Sequence, residues 1–257
     1  MQDNKAIARL LTDIQQRVGF LNDIGLDYLS LERASNSLSG GEAQRVRLAN
    51  QLGSGLSGVL YVLDEPSIGL HPLDNQRLIR ALHQLRDQGN SLVVVEHDDM
   101  IIGAADWLIE MGPGSGKHGG HVIYSGPIPR STSEVQPCSA APETTPFART
   151  LLPPDEQTDW FDLKNISAQN LCDVHFRMPL QRLVGLCGPS GSGKSTLVNQ
   201  LIQHGQSLIK QGRAQAASLP WQRLVSIDQQ PLGRSPRSNP ASLTGCLLYT
   251  SPSPRDR

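Results

Sequence analysis

The chain has 257 residues, of which 38% are hydrophobic and 18% are charged, a composition that suits one or two soluble domains with cores of their own. Its 23 basic and 24 acidic side chains give a formal net charge of -1, so the overall charge does not indicate nucleic-acid binding, and any such surface must be local. The sequence has no apolar run of roughly eighteen residues, so we expect no membrane span, and its polar N-terminus is unlike a signal peptide.

Hydrophobic periodicity predicts alternating helices and strands in the first half of the chain. An amphipathic helix opens it, because apolar residues recur at helical spacing at Ile7, Leu10, Leu11, Ile14, Val18 and Leu21. The pattern further predicts helices over residues 42–52 and 75–88, and buried strands over residues 59–63, 92–95 and 107–110.

The composition changes at about Pro127. Residues 127–160 are rich in Pro, Ser, Thr and Ala and show little periodicity, which is typical of a linker. Strand-like patterns resume at 161–163 and 174–178, followed by an apolar strand at 183–187, and this alternation favours an α/β fold. The final residues, 246–257, resemble a translated sequencing-library adapter, and we expect them to be non-native.

The strongest motif follows the apolar strand at 183–187 and fits the phosphate-binding pattern G-x-x-x-x-G-K-[ST]. Glycines let backbone N–H groups face phosphate oxygens at a helix N-terminus, Lys194 suits the β- and γ-phosphates, and the Ser195 hydroxyl suits Mg²⁺. The predicted nucleotide-binding residues are Gly188, Pro189, Ser190, Gly191, Ser192, Gly193, Lys194, Ser195 and Thr196.

A second glycine-rich segment, Gly114-Ser-Gly116-Lys117, fits this pattern only in part. Met111 stands where the first glycine belongs, and His118 replaces the hydroxyl residue. We therefore interpret the segment as a turn before a strand that begins near His121.

A third segment, which begins with Ser39, Gly40 and Gly41, immediately precedes a predicted helix. Open backbone amides at a positive helix end could bind an anion. The alternative for these residues alone is a helix N-cap with a flexible hinge.

Acidic residues end one predicted buried strand, and a histidine follows the next. Asp64 and Glu65 lie at the carboxyl end of their strand, where α/β sheets carry their chemistry. Asp64 suits Mg²⁺ bound through water, and Glu65 suits a base that activates the attacking water. His97 could touch the γ-phosphate. The alternatives are solvated carboxylates and a surface histidine. No zinc is expected, because the four cysteines lack the paired spacing of a zinc site.

Four segments together resemble the ABC-type ATPases, namely SGGEAQR, LDEPSIGLH, VVVEHD and GPSGSGKST. In detail the chain resembles the UvrA family, the damage-recognition subunits of the bacterial excinuclease, in its signature SGGEAQR, in SIGLHPLDN, and in the segment around Gln229. The resemblance implies ATP and Mg²⁺ as cofactors. It makes Ser39–Gly41 the signature, Lys194 and Ser195 the P-loop, Gln229 the Q-loop, and Asp64, Glu65 and His97 the Walker B pair and switch histidine.

The order of these motifs predicts an ABC-type P-loop NTPase with two partial modules in tandem. Residues 1–126 would be the C-terminal half of the first module, and residues 161–245 the N-terminal part of the second. Ser39–Gly41 and Lys194 would then face one ATP, while Asp64, Glu65 and His97 would serve another. We expect neither hydrolytic site to be complete, so the chain itself would bind nucleotide weakly and turn it over negligibly.

The family resemblance also implies a function and partners for the full-length parent. It would be a cytoplasmic ATPase of nucleotide excision repair and the SOS response, binding damaged double-stranded DNA as a homodimer and loading the helicase subunit UvrB. The residues themselves offer only a modest basic cluster at Arg223, Arg234 and Arg237, which could equally be a solvated face. The alternative is another ABC-type ATPase, either a transporter's engine or a soluble factor acting on ribosomes.

Overall fold

The computed structural model describes residues 2–128, 151–215, 220–228 and 239–243. The chain divides into two compact units. The first contains residues 1–55, 68–81 and 228–257, and the second contains residues 56–67 and 82–227. Gln229, Arg234, Arg237, most of the predicted linker and the adapter-like segment lie outside the described residues.

The helices and strands follow the predicted α/β alternation. The helices are α1 (Gln2–Asp23), α2 (Gly40–Leu52), α3 (Pro72–Asp87), α4 (Asp99–Gly103), α5 (Lys194–Gln215) and α6 (Pro240–Leu243). The strands are β1 (Val59–Asp64), β2 (Ser91–Val95), β3 (Trp107–Gly112), β4 (His121–Gly126), β5 (Trp160–Ala168), β6 (Leu171–Pro179), β7 (Leu183–Cys187) and β8 (Arg223–Ile227). Trp160, which the composition assigned to the linker, is the first residue of β5.

Six strands of the second unit form one sheet in the order β4-β3-β7-β2-β1-β8. All neighbouring pairs are parallel except β3 with β4. Strands β2 and β7 are buried along their whole length, as is β1 up to Leu63. Their nearly all-apolar sequences suit a parallel sheet that is covered on both faces, which confirms the prediction of buried strands.

Strand β7 lies between strands of the other predicted module. It pairs with β2 from Leu183↔Leu92 onward and with β3 from Val184↔Trp107 onward. Strand β8 adds to the far edge beside β1. The segments on both sides of the linker therefore build a single sheet, and the carboxyl ends of β1, β2 and β7 meet at one edge of it.

A buried carboxylate ties these segments together. The Asp106 side chain is fully buried and lies 2.8 Å from Nη1 of Arg86 on α3, itself only 2% exposed. The same carboxylate accepts the backbone N–H of Leu183 at 2.7 Å and that of Leu152 at 2.6 Å. One side chain thus joins α3, the start of β7 and the end of the linker.

The antiparallel hairpin of β5 and β6 packs on the core beside α5. Its alternating sequence buries Phe161, Leu163, Phe176 and Met178, as the period of two predicts. The Phe161 ring lies 4.7 Å from that of Trp221, between centroids. At the same end of the hairpin, the Arg177 guanidinium lies 4.4 Å from the centre of the Trp160 ring.

The first unit contains α1, α2 and α6. Its longest-range ion pair joins Nη1 of Arg47 on α2 to Oδ1 of Asp228 at 2.8 Å. Helix α2 begins with a capping box: Ser39 Oγ accepts the N–H of Glu42 at 3.2 Å, and Glu42 Oε2 accepts the N–H of Ser39 at 2.8 Å. The Ser39 segment is therefore the helix N-cap that its sequence allowed.

Candidate active site

The P-loop has the strand–turn–helix context that its motif requires. It leaves the end of β7 and enters α5 at Lys194. Gly188, Gly191 and Gly193 have φ angles of 135°, 75° and 104°, which are favourable only for glycine. The N–H of Ser192 donates to Pro189 O at 3.1 Å, which closes the turn. The glycines of the motif are therefore required by the backbone path.

Lys194, the first residue of α5, is 7% exposed. Its Nζ donates to the carbonyl oxygens of Gly188 at 2.7 Å and Pro189 at 3.0 Å. Burial lowers the pKa of Lys194, and the charge of Glu65 opposes that shift. The ammonium group is thus largely desolvated, held by neutral acceptors that a phosphate could replace.

The acidic pair lies at the carboxyl end of β1. Asp64 is exposed at the end of the strand. Glu65 has a φ of 46°, an uncommon value for a residue with a side chain, and its N–H donates to Val95 O at 2.9 Å. His97 Nε2 lies 3.3 Å from Glu65 Oε1. A strained backbone at Glu65, fixed by a bond to β2, is typical of a functional position.

These groups line one cavity of about 490 Å³. The predicted site residues that line it are Asp64, Glu65, His97, Ser190, Gly191, Gly193, Lys194, Ser195 and Thr196. This differs from the expectation that Asp64, Glu65 and His97 serve a different ATP from the one bound by Lys194. The physical reason is strand pairing: β7 lies directly beside β2, so its P-loop emerges at the edge that carries the acidic pair and His97.

Ser39, Gly40 and Gly41 belong to the first unit. Gly41 lies close to the chain that follows the acidic pair, since a Cβ on Gly41 would stand 2.8 Å from Ile68 O. Burial works against the charge of Glu42, but hydrogen bonds from Ser39 and Tyr28 and the charge of Arg33 prevail and lower its pKa. The ionised Glu42 carboxylate therefore stabilises the N-terminus of α2.

Sequence reasoning missed Glu96, which is 2% exposed. Its Oε1 accepts the N–H of Ser67 at 2.8 Å, and its Oε2 accepts those of His97 at 3.0 Å and Asp98 at 3.4 Å. Burial raises the pKa of Glu96, although these bonds oppose the shift. One carboxylate thus fixes both the segment after the acidic pair and the loop that carries His97. The only sign of this role in the sequence is that an acidic residue directly follows the apolar strand β2.

Four further residues of the cavity were not predicted as site residues: Val95, Gly116, Gln169 and Asn170. Thr196 Oγ1 donates to Gln169 Oε1 at 2.8 Å, and Asn170 Nδ2 donates to Gly191 O at 3.2 Å. Gln169 and Asn170 form the turn between β5 and β6, so the hairpin positions them beside the P-loop. No local motif marks such residues, because their role depends on tertiary packing.

The remaining candidate sites, a second cavity and possible metal clusters, offer fewer groups that could bind or react. A cavity of about 580 Å³ lies near Asp155, Trp160 and Arg182, at the amino end of β7 and away from the P-loop. The part of the chain that the structure describes holds no cluster of three or more His, Cys, Asp or Glu side chains arranged to bind a metal. Among those same residues, no helix combines the length and the apolar character needed to cross a bilayer.

Comparison with known proteins identifies the relatives of this chain. Residues 171–238 match the family described as ABC transporter. UvrABC system protein A of Thermus thermophilus is 51% identical over 254 residues, covering 93% of this chain and 26% of the relative. The protein of the same name from Mycobacterium tuberculosis is 46% identical over 256 residues, covering 94% of this chain and 26% of the relative.

A crystal structure of UvrA2 from Deinococcus radiodurans is 42% identical and covers 75% of this chain and 23% of that chain, with a TM-score of 0.47. The chain spans about a quarter of the length of the curated relatives it matches. Over 93% of its length this chain is therefore similar to UvrABC system protein A, and its match to the ABC transporter family includes the P-loop.

Proposed function

We propose that the chain is part of an ATP-binding and ATP-hydrolysing subunit that recognises DNA damage in nucleotide excision repair. The observation that carries this proposal is the single cavity shared by Lys194, Asp64 and Glu65. The names and identity of the curated relatives support the repair role over the alternatives of a transporter engine or a ribosome-acting factor.

The triphosphate would lie along the P-loop. Its oxygens would accept from the backbone N–H groups between Gly188 and Thr196, and Lys194 Nζ would exchange the Gly188 and Pro189 carbonyls for β- and γ-phosphate oxygens. The geometry supports this exchange because the lysine is already desolvated and its present partners are uncharged. The amino end of α5 would add a favourable partial positive charge.

Magnesium fits the oxygen donors of this cavity. Asp64 and Ser195 both line it and offer the hard ligands that Mg²⁺ prefers, alongside waters and phosphates. Gln229, which the family resemblance adds to this set, lies outside the described residues. When bound, the ion would neutralise charge on the β- and γ-phosphates.

Hydrolysis would depend on Glu65 and His97. The Glu65 carboxylate would orient the attacking water and accept its proton, a contribution of roughly 10²–10⁴-fold. His97 Nε2, at 3.3 Å from Glu65 Oε1, would hold that carboxylate and reach the γ-phosphate. By the family resemblance, Ser39, Gly40 and Gly41 would be an ABC signature that binds nucleotide.

The proposed macromolecular partners are damaged double-stranded DNA, a second copy of the parent protein and the helicase subunit UvrB. Their support is the likeness to UvrABC system proteins, since the net charge of -1 gives none. Arg223 is exposed at the start of β8, where it could contribute to a local basic surface.

Two measurements test this function. We expect Lys194→Ala to abolish binding of a fluorescent ATP analogue to the chain, while Lys164→Ala, at an exposed lysine on β5, leaves the Kd unchanged. Equal effects of the two variants would contradict the nucleotide site. For the full-length parent, we expect a DNA affinity that falls steeply with salt. No DNA binding at low salt would contradict the repair role.

A further inference from the structure

The incomplete glycine motif lies directly against the P-loop. We call residues 112–120, which connect β3 to β4, the brace turn. The Gly116 N–H donates to Gly191 O at 3.0 Å, and the Gly120 N–H donates to Ser192 O at 2.9 Å. Both acceptors are P-loop carbonyls. The brace turn therefore bonds two successive carbonyls of the loop.

This bonding matters because a P-loop binds phosphate through its backbone N–H groups. When those groups point inward, the carbonyls of the same peptides point outward and need partners of their own. The brace turn supplies such partners at two successive residues, Gly191 and Ser192. Asn170 Nδ2 provides a second donor to Gly191 O, at 3.2 Å.

The brace turn is itself held by internal bonds. The Gly114 N–H donates to His118 O at 2.9 Å, and the His118 N–H donates to Ser115 O at 3.2 Å. It also follows β3, which is paired with β7, the strand that leads into the P-loop. Its donors are thus fixed relative to the loop they contact.

The approach of the two segments leaves no room for side chains. A Cβ on Gly119 would stand 3.0 Å from Ser192 Cα and 2.5 Å from Gly114 O. Gly119 has a φ of -106°, so its backbone would tolerate any residue, and only the lack of space demands glycine. A Cβ on Gly120 would likewise overlap the carbonyl of Asn170.

We propose that the brace turn is a positioning element of the nucleotide site, which holds the P-loop in its phosphate-binding shape. The proposal rests on the proposed function, because it assumes that the P-loop binds ATP. Gly116 lines the same cavity as Lys194 and Ser195, so the brace turn also forms one wall of the site. In this turn Gly119 and Gly120 serve close packing, whereas Gly116 has a φ of 58° and a Cβ there would meet no atom within 4 Å.

The test compares Gly119→Ala with the control Gly19→Ala on α1, outside the brace turn. A Cβ on Gly19 would meet no atom within 4 Å. We expect Gly119→Ala to weaken ATP binding by about 10-fold or more, because overpacking displaces the P-loop. Gly19→Ala should change the Kd by less than about 3-fold. The affinity of Gly119→Ala for inorganic triphosphate should fall by a similar factor, since a displaced P-loop loses its contacts with the phosphates.

A measurement on the unmodified chain covers the case in which Gly119→Ala does not fold. The amide protons of Gly116 and Gly120 should exchange slowly with solvent, and ATP should slow them further by tightening the loop they bond. The proposal is overturned if Gly119→Ala folds and binds ATP with the unmodified Kd. It is also overturned if both amide protons exchange at the rate of unprotected amides and ATP does not change that rate. If instead the unmodified chain binds no ATP, the proposed function fails, and the two failures are distinguished.

Discussion

Replacing Asp106 with Asn should destabilise the second unit strongly. The Asp106 carboxylate is fully buried, pairs with a nearly buried Arg86 at 2.8 Å, and accepts the N–H groups of Leu183 and Leu152. Burial raises the pKa of Asp106 despite these bonds, so the pair itself contributes little net stability. The loss comes from what the substitution leaves behind, namely a buried Arg86 Nη1 without its carboxylate, while only the more exposed Asp87 still pairs with Arg86 at Nε.

The magnitude follows from that burial. Removing one partner of a buried ion pair costs about 3–5 kcal/mol of unfolding free energy. For a chain of this size, each kcal/mol lowers the melting temperature by about 2–4 °C, so we expect a fall of roughly 6–20 °C. The assay is urea and thermal unfolding followed by circular dichroism.

Asp87→Asn is the matched control. Asp87 also contacts Arg86, at 2.8 Å, but its side chain is 56% exposed. The loss of a solvent-exposed pair costs at most about 1 kcal/mol. If Asp106→Asn is no more destabilising than Asp87→Asn, then Asp106 does not join α3 to the start of β7 as described.

Three further predictions concern the site and its supports. Burial raises the pKa of Glu96 above its ordinary 4.5, so the folded state binds that proton more tightly and the unfolding free energy falls as the pH rises from 4.5 towards the folded pKa. Glu96→Gln should remove this fall in urea titrations at several pH values, and an unchanged slope would contradict it. The pKa of Glu42 is lowered, so its contribution is present above 4.5 and is lost as the pH falls below it; Glu42→Gln should flatten that acid-side loss, with a cost of about 1 kcal/mol at neutral pH. In the full-length parent, Glu65→Gln should remove the same share of ATP turnover as Lys194→Ala, and the double variant should lose no more than either one; additive losses would mean that the two residues serve different nucleotides.

Local patterns were sufficient to predict much of the second unit. The apolar run 183–187 and the glycine motif after it predicted the P-loop between a strand and the start of a helix. The run 59–63 predicted β1, and the acidic pair was correctly expected at its carboxyl end. These features depend on a few consecutive residues, and for that reason periodicity and motif spacing can identify them.

The joining of the two segments could not be predicted in this way. The position of β7 between β2 and β3 depends on pairing between strands that are far apart in the sequence. Hydrophobic periodicity contains no information about which strands pair. Glu96 and the contact between the brace turn and the P-loop were missed for a related reason. A carboxylate that accepts three backbone N–H groups, and a glycine that makes room for Ser192, have roles visible only once the chain is folded.

The most direct test of the shared cavity is the effect of Mg²⁺ on ATP affinity in Asp64→Asn. The Kd of a fluorescent ATP analogue is measured for the chain and the variant, in EDTA and in excess Mg²⁺. If Asp64 shares the site with Lys194, its loss should relieve repulsion of the bare triphosphate and abolish most of the gain from Mg²⁺, each by roughly 10-fold. If Asp64→Asn changes neither Kd while Lys194→Ala abolishes binding, Asp64 serves a different nucleotide and the account of one shared site is contradicted.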